Sequence, residues 1–383
     1  MKRPLAMIVL GSCLWASSAP AQTLPRGTVV DPVHCADDPA QTYALYLPST
    51  YVPERTWSVL FAFHPAARGR LMAEKFKAAA EQYGYIVAAS NNARNGPHAI
   101  SAAAAQAMSE DVSRRFSVDL KRIYLTGMSG GARVALGIGL GNPNVAGVVA
   151  SSAGFPDSQP RDKVTFAVFG TAGTEDFNYI EMRLMDRKLS SPHFLAVFDG
   201  GHTLPPDEIA GDALAWMELQ AMQSGRRSRD AALIDRLLDA RRSRIAATTV
   251  LADNVYLLRS LVSDFTGLID VAAEARLLDE LSRRSDVKQA LKRDRDVDDA
   301  EWRMIGEMFE LEAQLADEGR RVTALMTLRA RLAALSRSAA TEADTPERRQ
   351  SRRLLRAMTA GAAGRVQDRE YLAVLEQHRL PGR

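Results

Sequence analysis

The 383-residue chain has few cysteines, few histidines and no strong excess of either charge. It contains two cysteines and six histidines, and 49 basic side chains nearly balance 46 acidic ones. The histidines and cysteines are scattered without ligand spacing, which argues against a metal centre. The glycine-rich segments lack the lysine of a phosphate-binding loop, and the balanced charge does not favour nucleic acid. We therefore expect no cofactor, no metal and no nucleic-acid partner.

Long hydrophobic runs are also missing, except at the N-terminus. There, Lys2 and Arg3 precede an apolar stretch over residues 5–15, and Ala19-Pro20-Ala21 offers a small-x-small cleavage site. This pattern predicts a signal peptide over residues 1–21 and a periplasmic or secreted protein. An alternative is a lipoprotein anchored at Cys13, because residues 10–13 resemble a lipobox. Elsewhere no run approaches the roughly 20 residues that a membrane span needs.

The composition changes near residue 225. Before it, short apolar runs alternate with helical patterns, which predicts an α/β domain over residues 26–224 with a doubly wound, mostly parallel sheet. The expected strands are residues 43–47, 58–63, 85–89, 122–126, 147–151, 164–169 and 194–198. After it, apolar side chains recur at steps of three and four, as in Leu251, Val255, Leu258, Val262 and Phe265. This spacing predicts an all-α domain of six or seven helices over residues 225–383, and its interleaved charges indicate solvated surfaces.

One short motif indicates the chemistry. Gly127-Met128-Ser129-Gly130-Gly131 follows an apolar run and precedes a small-residue helical pattern. This is the G-x-S-x-G pattern in the strand-then-helix setting of a nucleophile elbow. Its small residues allow the sharp turn on which the serine sits. We therefore predict that Ser129 is a nucleophile.

A serine nucleophile needs a base and an acid, and both follow Ser129 in the chain. His202 lies in a glycine-rich loop after the last predicted strand, and this position makes it the best candidate for the base. Asp176 lies in the loop after the preceding strand and is the preferred acid. Glu175 and Asp157 are its rivals.

Two further loops should open at the same edge of the sheet. The oxyanion of an acyl-transfer intermediate needs two donors, and the first would be the backbone N–H of Gly130. Pro65 has no N–H, so we expect Ala66 or Ala67 to provide the second donor, with His64 as a positioning residue. The loop after the strand at residues 85–89 could bind substrate through Asn91, Asn92, Arg94 and Asn95.

These motifs resemble the α/β-hydrolase superfamily, specifically the compact secreted esterases grouped with polyhydroxybutyrate-depolymerase-like and phospholipase/carboxylesterase proteins. The resemblance covers residues 40–222 and departs from the family at Pro65. It implies a secreted serine hydrolase that cleaves a small-molecule or polymeric carboxylic ester through an acyl-enzyme. A serine peptidase or amidase is the nearest alternative. A non-catalytic hydrolase-like scaffold, whose helical tail binds a protein partner, is another.

Overall fold

Eight strands form one sheet in a computed structural model that describes residues 24–381. The predicted signal peptide and Cys13 lie outside these residues. The strands are β1 (Val29–His34), β2 (Thr42–Tyr46), β3 (Trp57–Phe63), β4 (Tyr85–Ser90), β5 (Val118–Met128), β6 (Val145–Ser151), β7 (Ala167–Gly173) and β8 (His193–Phe198). All seven predicted strands are present. The additional strand, β1, escapes prediction because Asp31 and Pro32 interrupt its apolar residues.

The sheet is mostly parallel, as the sequence predicts. Its strand order is β1-β2-β4-β3-β5-β6-β7-β8, and β2 pairs antiparallel with both β1 and β4. From β4 through β3 to β8, every neighbouring pair is parallel. The carboxyl ends of these six strands therefore meet at one edge, where open α/β sheets bind their ligands.

Five helices cover the two faces of this sheet. They are α1 (Gly69–Tyr83), α2 (His98–Arg115), α3 (Gly130–Gly141), α4 (Tyr179–Lys188) and α5 (Asp207–Gln223). Phe76 of α1 and Trp216 of α5 belong to the apolar core on one face. Met108 of α2, Leu136 of α3 and Met182 of α4 belong to the core on the other. Both faces are thus buried, which is why the strands read as continuous apolar runs.

Only helices follow α5 in the described part of the chain. They are α6 (Ala231–Ala247), α7 (Leu251–Phe265), α8 (Ala272–Arg283), α9 (Ser285–Gln314), α10 (Glu318–Ala339), α11 (Pro346–Thr359), α12 (Ala362–Arg365) and α13 (Arg369–Gln377). We call them the helical region. Its largest apolar cluster includes Leu328 and Leu332 of α10, Leu355 and Met358 of α11, and Tyr371 of α13. The boundary placed at residue 225 falls in the connection between α5 and α6.

The strand order β1-β2-β4-β3-β5-β6-β7-β8, with β2 antiparallel, is that of the α/β-hydrolase fold, and the helical region follows it. None of the helices within residues 24–381 is long and apolar enough to cross a membrane. The remaining cysteine in this range, Cys35, is buried and free. Burial and the charge of Asp111 raise the pKa of its thiol to about 11, so the thiol stays protonated and inert.

Candidate active site

Ser129 lies at a strained turn between β5 and α3. Its backbone has φ 52° and ψ −121°, a conformation that residues other than glycine rarely adopt. The flanking glycines make this turn possible. A Cβ on Gly127 would lie 2.2 Å from the Gly131 carbonyl carbon, and a Cβ on Gly131 would lie 2.2 Å from the Phe63 carbonyl oxygen. The motif is therefore held in place by contacts that no larger side chain can replace.

The three side chains selected from the sequence form one chain of hydrogen bonds. His202 Nε2 lies 2.8 Å from Ser129 Oγ, and His202 Nδ1 lies 2.8 Å from Asp176 Oδ1. Asp176 is fully buried, and the same Oδ1 accepts the Asn178 N–H at 2.8 Å. With Asp176 as acceptor, Nδ1 carries the ring proton, and Nε2 presents its lone pair to the serine hydroxyl. This is the arrangement that lets a histidine take the proton of a serine.

The loops that carry Asp176 and His202 are bound to each other by their backbones. The Thr174 and Glu175 N–H groups donate to the carbonyls of Phe198 and Gly200, both at 2.8 Å. A Cβ on Gly173 would lie 2.4 Å from the Gly200 carbonyl oxygen, so the two segments approach closely only because Gly173 has no side chain. The strand before the acid runs to Gly173 and not to residue 169 as predicted, since residues 170–173 continue the ladder with β8.

Phe177 is part of the site, although it belongs to none of the predicted site residues. Its ring stacks on the His202 imidazole with centroids 4.0 Å apart and an angle of 26° between the planes. The stack restricts rotation of the imidazole while leaving both ring nitrogens on their hydrogen bonds. The signal available in the sequence was an aromatic residue directly after the predicted acid.

The two rival acids have other partners. Glu175 lies between arginines of α11 and makes no contact with His202 in the hydrogen bonds described. Asp157 accepts two hydrogen bonds from Arg161, which lower the pKa of its carboxyl to about 2. The site therefore brings Asp176, of the three candidates, to the imidazole.

Both amides proposed as the second oxyanion donor are engaged inside their own loop. The Ala66 N–H donates to His64 Nδ1 at 3.1 Å, and the Ala67 N–H donates to the His64 carbonyl at 3.1 Å. Burial and the charge of Arg68 lower the pKa of His64, which keeps its ring neutral and Nδ1 free to accept. The role of Ala66 and Ala67 stays a prediction, and in this structure each would first have to leave its present acceptor.

The polar loop after β4 divides into two parts. The side chains of Asn91 and Asn92 bind the antiparallel edge of the sheet, through Asp31 and through the backbone of Ala40 and Thr42. The exposed Arg94 forms an isolated β-bridge with Ala66.

Asn95 lies against Gly130, the residue that follows the nucleophile. Its N–H donates to the Pro65 carbonyl at 2.8 Å. A Cβ on Gly130 would lie 1.8 Å from Asn95 Oδ1. The carboxamide therefore packs directly beside the first expected oxyanion donor.

Fold and site together define a class of protein: an α/β-hydrolase fold with a serine, histidine and aspartate connected at the carboxyl edge of its sheet. Within the described residues, no group of three or more His, Cys, Asp and Glu side chains could hold a metal ion.

Comparisons with known proteins identify solved structures that are similar to this chain. No family model and no curated protein sequence matches it. It is similar to the hyperthermophilic esterase from the archaeon Pyrobaculum calidifontis, with 12% identity, 51% of this chain and 87% of that chain covered, and a TM-score of 0.42. It is also similar to the propionate-bound esterase Est2 from Thermogutta terrifontis, with 15% identity, 54% and 98% coverage and a TM-score of 0.39. It is also similar to esterase PE8, with 18% identity, 45% of this chain and 96% of that chain covered, and a TM-score of 0.35.

Proposed function

We propose that the protein is a serine hydrolase that cleaves a carboxylic ester through an acyl-enzyme intermediate. The observation that carries this proposal is the hydrogen-bonded series Ser129, His202 and Asp176, with both links at 2.8 Å. The strained backbone at Ser129 supports it, because such strain persists where the surrounding structure enforces it and clusters at active sites.

The reaction follows from the positions of these atoms. Ser129 Oγ attacks the ester carbonyl carbon while its proton passes to His202 Nε2, and Asp176 stabilises the imidazolium that forms. When the tetrahedral intermediate collapses, His202 gives this proton to the leaving alcohol and the acyl group stays on Oγ. Water then attacks the acyl-enzyme with His202 again as base. The products are the carboxylic acid and free Ser129.

The oxyanion needs two donors, and we assign them to the Gly130 N–H and the Asn95 carboxamide. The exposed Asn95 amide lies against Gly130, while the N–H groups of Ala66 and Ala67 donate to His64. A half-turn of the carboxamide presents Nδ2 at the position that Oδ1 occupies. The hydrogen bond from the Asn95 N–H to the Pro65 carbonyl fixes the backbone that carries this side chain. A side-chain amide is an established type of oxyanion donor.

The first test of this function is hydrolysis of p-nitrophenyl acetate and butyrate by the purified protein. Replacement Ser129→Ala should lower kcat/KM by about 10⁴-fold or more, because the nucleophile is lost. Unchanged hydrolysis by S129A would contradict the proposal. The matching p-nitroanilide serves as the amide substrate. Cleavage of the anilide at a rate close to that of the ester would favour the peptidase or amidase alternative.

We also propose that the chain is exported. The support is the charged, apolar and small-residue pattern of residues 1–21. N-terminal sequencing of the protein from its natural compartment should begin near Gln22. A lipid-modified N-terminus at Cys13 would show the anchored form instead.

A further inference from the structure

The acidic residue beside Asp176 points into the helical region. Glu175 is 2% exposed, and arginines spaced one turn apart on α11 surround its carboxylate. Arg352 Nε lies 2.8 Å from Oε1, and Arg356 Nη1 lies 2.9 Å from Oε2. Arg348 Nη1 lies 3.7 Å from Oε1. One buried carboxylate thus contacts three guanidinium groups of a single helix.

The same helix also binds the backbone of the acid loop. Arg353 Nη1 donates to the Thr174 carbonyl at 2.6 Å, and Arg356 Nη1 donates to the Glu175 carbonyl at 3.0 Å. Arg353 is itself held by Glu301 of α9 through two hydrogen bonds of 2.7 and 2.5 Å. The two residues directly before Asp176 are therefore fixed by side chains of the helical region.

The helical region also packs against α4, the helix that follows the acid loop. Ile180 of α4 forms a buried apolar cluster with Ile305 of α9 and Leu354 of α11. Arg183 of α4 pairs with Asp294 of α9 at 2.7 Å. The acid loop is consequently held both at its start and at its end by helices far along the chain.

The ion pairs around Glu175 depend on the position of the acid loop. A guanidinium stays charged in a protein, and a buried charge is costly unless it is paired and hydrogen-bonded. If the acid loop moved, Glu175 and the arginines around it would lose partners together. Arg356 reaches the base loop as well, since its Nη1 would lie 3.3 Å from a Cβ on Gly201. The guanidinium of Arg356 therefore lies beside both loops of the site.

We propose that Arg352, Arg353 and Arg356 act as positioning residues that hold Asp176 against His202. The helical region is then a structural part of the active site and not a separable partner-binding module. We call these three arginines the arginine clamp. This inference rests on the proposed function, because it assigns the clamp a role in the same reaction.

The test compares arginines that touch the acid loop with one that does not, in the full-length protein. The test variants are Arg356→Ala and Arg352→Ala, and Arg356→Lys keeps the charge with fewer donors. The control is Arg331→Ala, in α10, which is 38% exposed and pairs with Glu307 at 2.9 Å. Every variant removes or alters an arginine in an ion pair of the helical region. We expect only the clamp variants to disturb Asp176.

For R356A and R352A, kcat on p-nitrophenyl butyrate should fall about 10- to 100-fold, since small misplacements of catalytic groups are that costly. KM should change less than about threefold, because the clamp does not touch the substrate. R356K should recover part of kcat, and R331A should stay within about twofold of wild type. Clamp variants that behave like R331A would overturn the inference.

Hydrogen–deuterium exchange separates misplacement from general instability. In variants that still fold, amides of residues 174–178 should exchange faster than in wild type and in R331A, while those of β3 and β5 keep their protection. Equal exchange at residues 174–178 would contradict the inference. If R356A does not fold, R356K and R352A answer the same question.

Fluorophosphonate labelling of the wild type distinguishes failure of this inference from failure of the proposed function. A wild type that neither labels nor hydrolyses esters contradicts the function itself. An active, labelled wild type whose clamp variants keep full kcat and full protection contradicts the clamp alone.

Discussion

Ser129 owes its position to the residues on either side of it. The positive φ of the serine and the close backbone contacts of Gly127 and Gly131 mean that the nucleophile is held by its neighbours and not by its own preference. Once the backbone is held, the serine hydroxyl becomes reactive through His202, which Asp176 orients. Small changes at these residues should therefore have large effects.

A methyl group at Gly131 should be poorly tolerated. Gly131→Ala would place its Cβ 2.2 Å from the Phe63 carbonyl oxygen, a backbone atom that cannot turn away. Overpacking of this kind costs about 1–3 kcal/mol of unfolding free energy, and denaturant unfolding measures it. The matched control is Gly211→Ala in α5, where a Cβ would meet no atom within 4 Å. G211A should be about 0.5–1 kcal/mol more stable than wild type, and equal effects at the two positions would refute the contact.

Asn95 gives a second prediction at this scale. If its carboxamide donates to the oxyanion, Asn95→Ala should lower kcat on p-nitrophenyl esters by about 10²- to 10³-fold with little change in KM. His98→Ala, at the exposed start of α2 close behind the same loop, serves as the control and should stay near wild type. A normal kcat for N95A would return the second donor to the backbone amides of residues 66 and 67.

Elements differ in how well the sequence predicts them. The central strands are buried on both faces and appear as apolar runs, so the sequence predicts each of them. The observed β7 is nevertheless displaced by several residues from its predicted bounds. The stripe at Leu251, Val255 and Leu258 becomes α7 as predicted. Helix α8 is not among the predicted helices, and none of its side chains is buried in the structure.

The role of α11 could not be inferred from its sequence. Arginines at positions 348, 352 and 356 follow helical spacing among other charges, and this pattern normally indicates a solvated surface. In the structure these side chains face the buried carboxylate of Glu175, which belongs to the α/β domain. Charge periodicity shows which residues share a helix face, but not what that face contacts. By contrast, the sequence does predict that Ser129, Asp176 and His202 lie together, because each follows its own strand.

The ion cluster at α11 also predicts a pH dependence of stability. Burial would raise the pKa of Glu175, but its hydrogen bonds and charge contacts with Arg352 and Arg356 outweigh this effect and hold the pKa below its ordinary value. A carboxyl with a depressed folded-state pKa contributes stability above its unfolded value, and this contribution is lost as the pH falls through the folded value.

Glu175→Gln tests this element directly. Near pH 7 it should lower the free energy of unfolding by about 3 kcal/mol, because the arginines lose their buried partner. The difference from wild type should shrink at pH 3. The control is Glu370→Gln, whose 45% exposed carboxyl pairs with Arg321 and Arg329 and should cost under about 1 kcal/mol. A pH-independent difference for E175Q would show that the ion cluster is not its cause.

At the scale of the whole molecule, the α/β domain and the helical region have separate apolar cores. The sheet and its helices bury one set of side chains, and α10, α11 and α13 bury another. Two smaller clusters join the regions: one links α4 to α9 and α11, and another packs α6 and α7 against α5. The composition thus divides the chain into two regions. Through the charged contacts around residues 174–176, the second region supports the catalytic residues of the first.

We propose that Ser129 is a nucleophile activated by His202 and Asp176. The most direct measurement is the reaction of the folded protein with a fluorophosphonate probe, followed by mass spectrometry of its peptides. We expect one phosphonyl group per chain, located on Ser129, and no labelling of S129A. Labelling that persists in S129A, or that maps to another residue of the wild type, would contradict it.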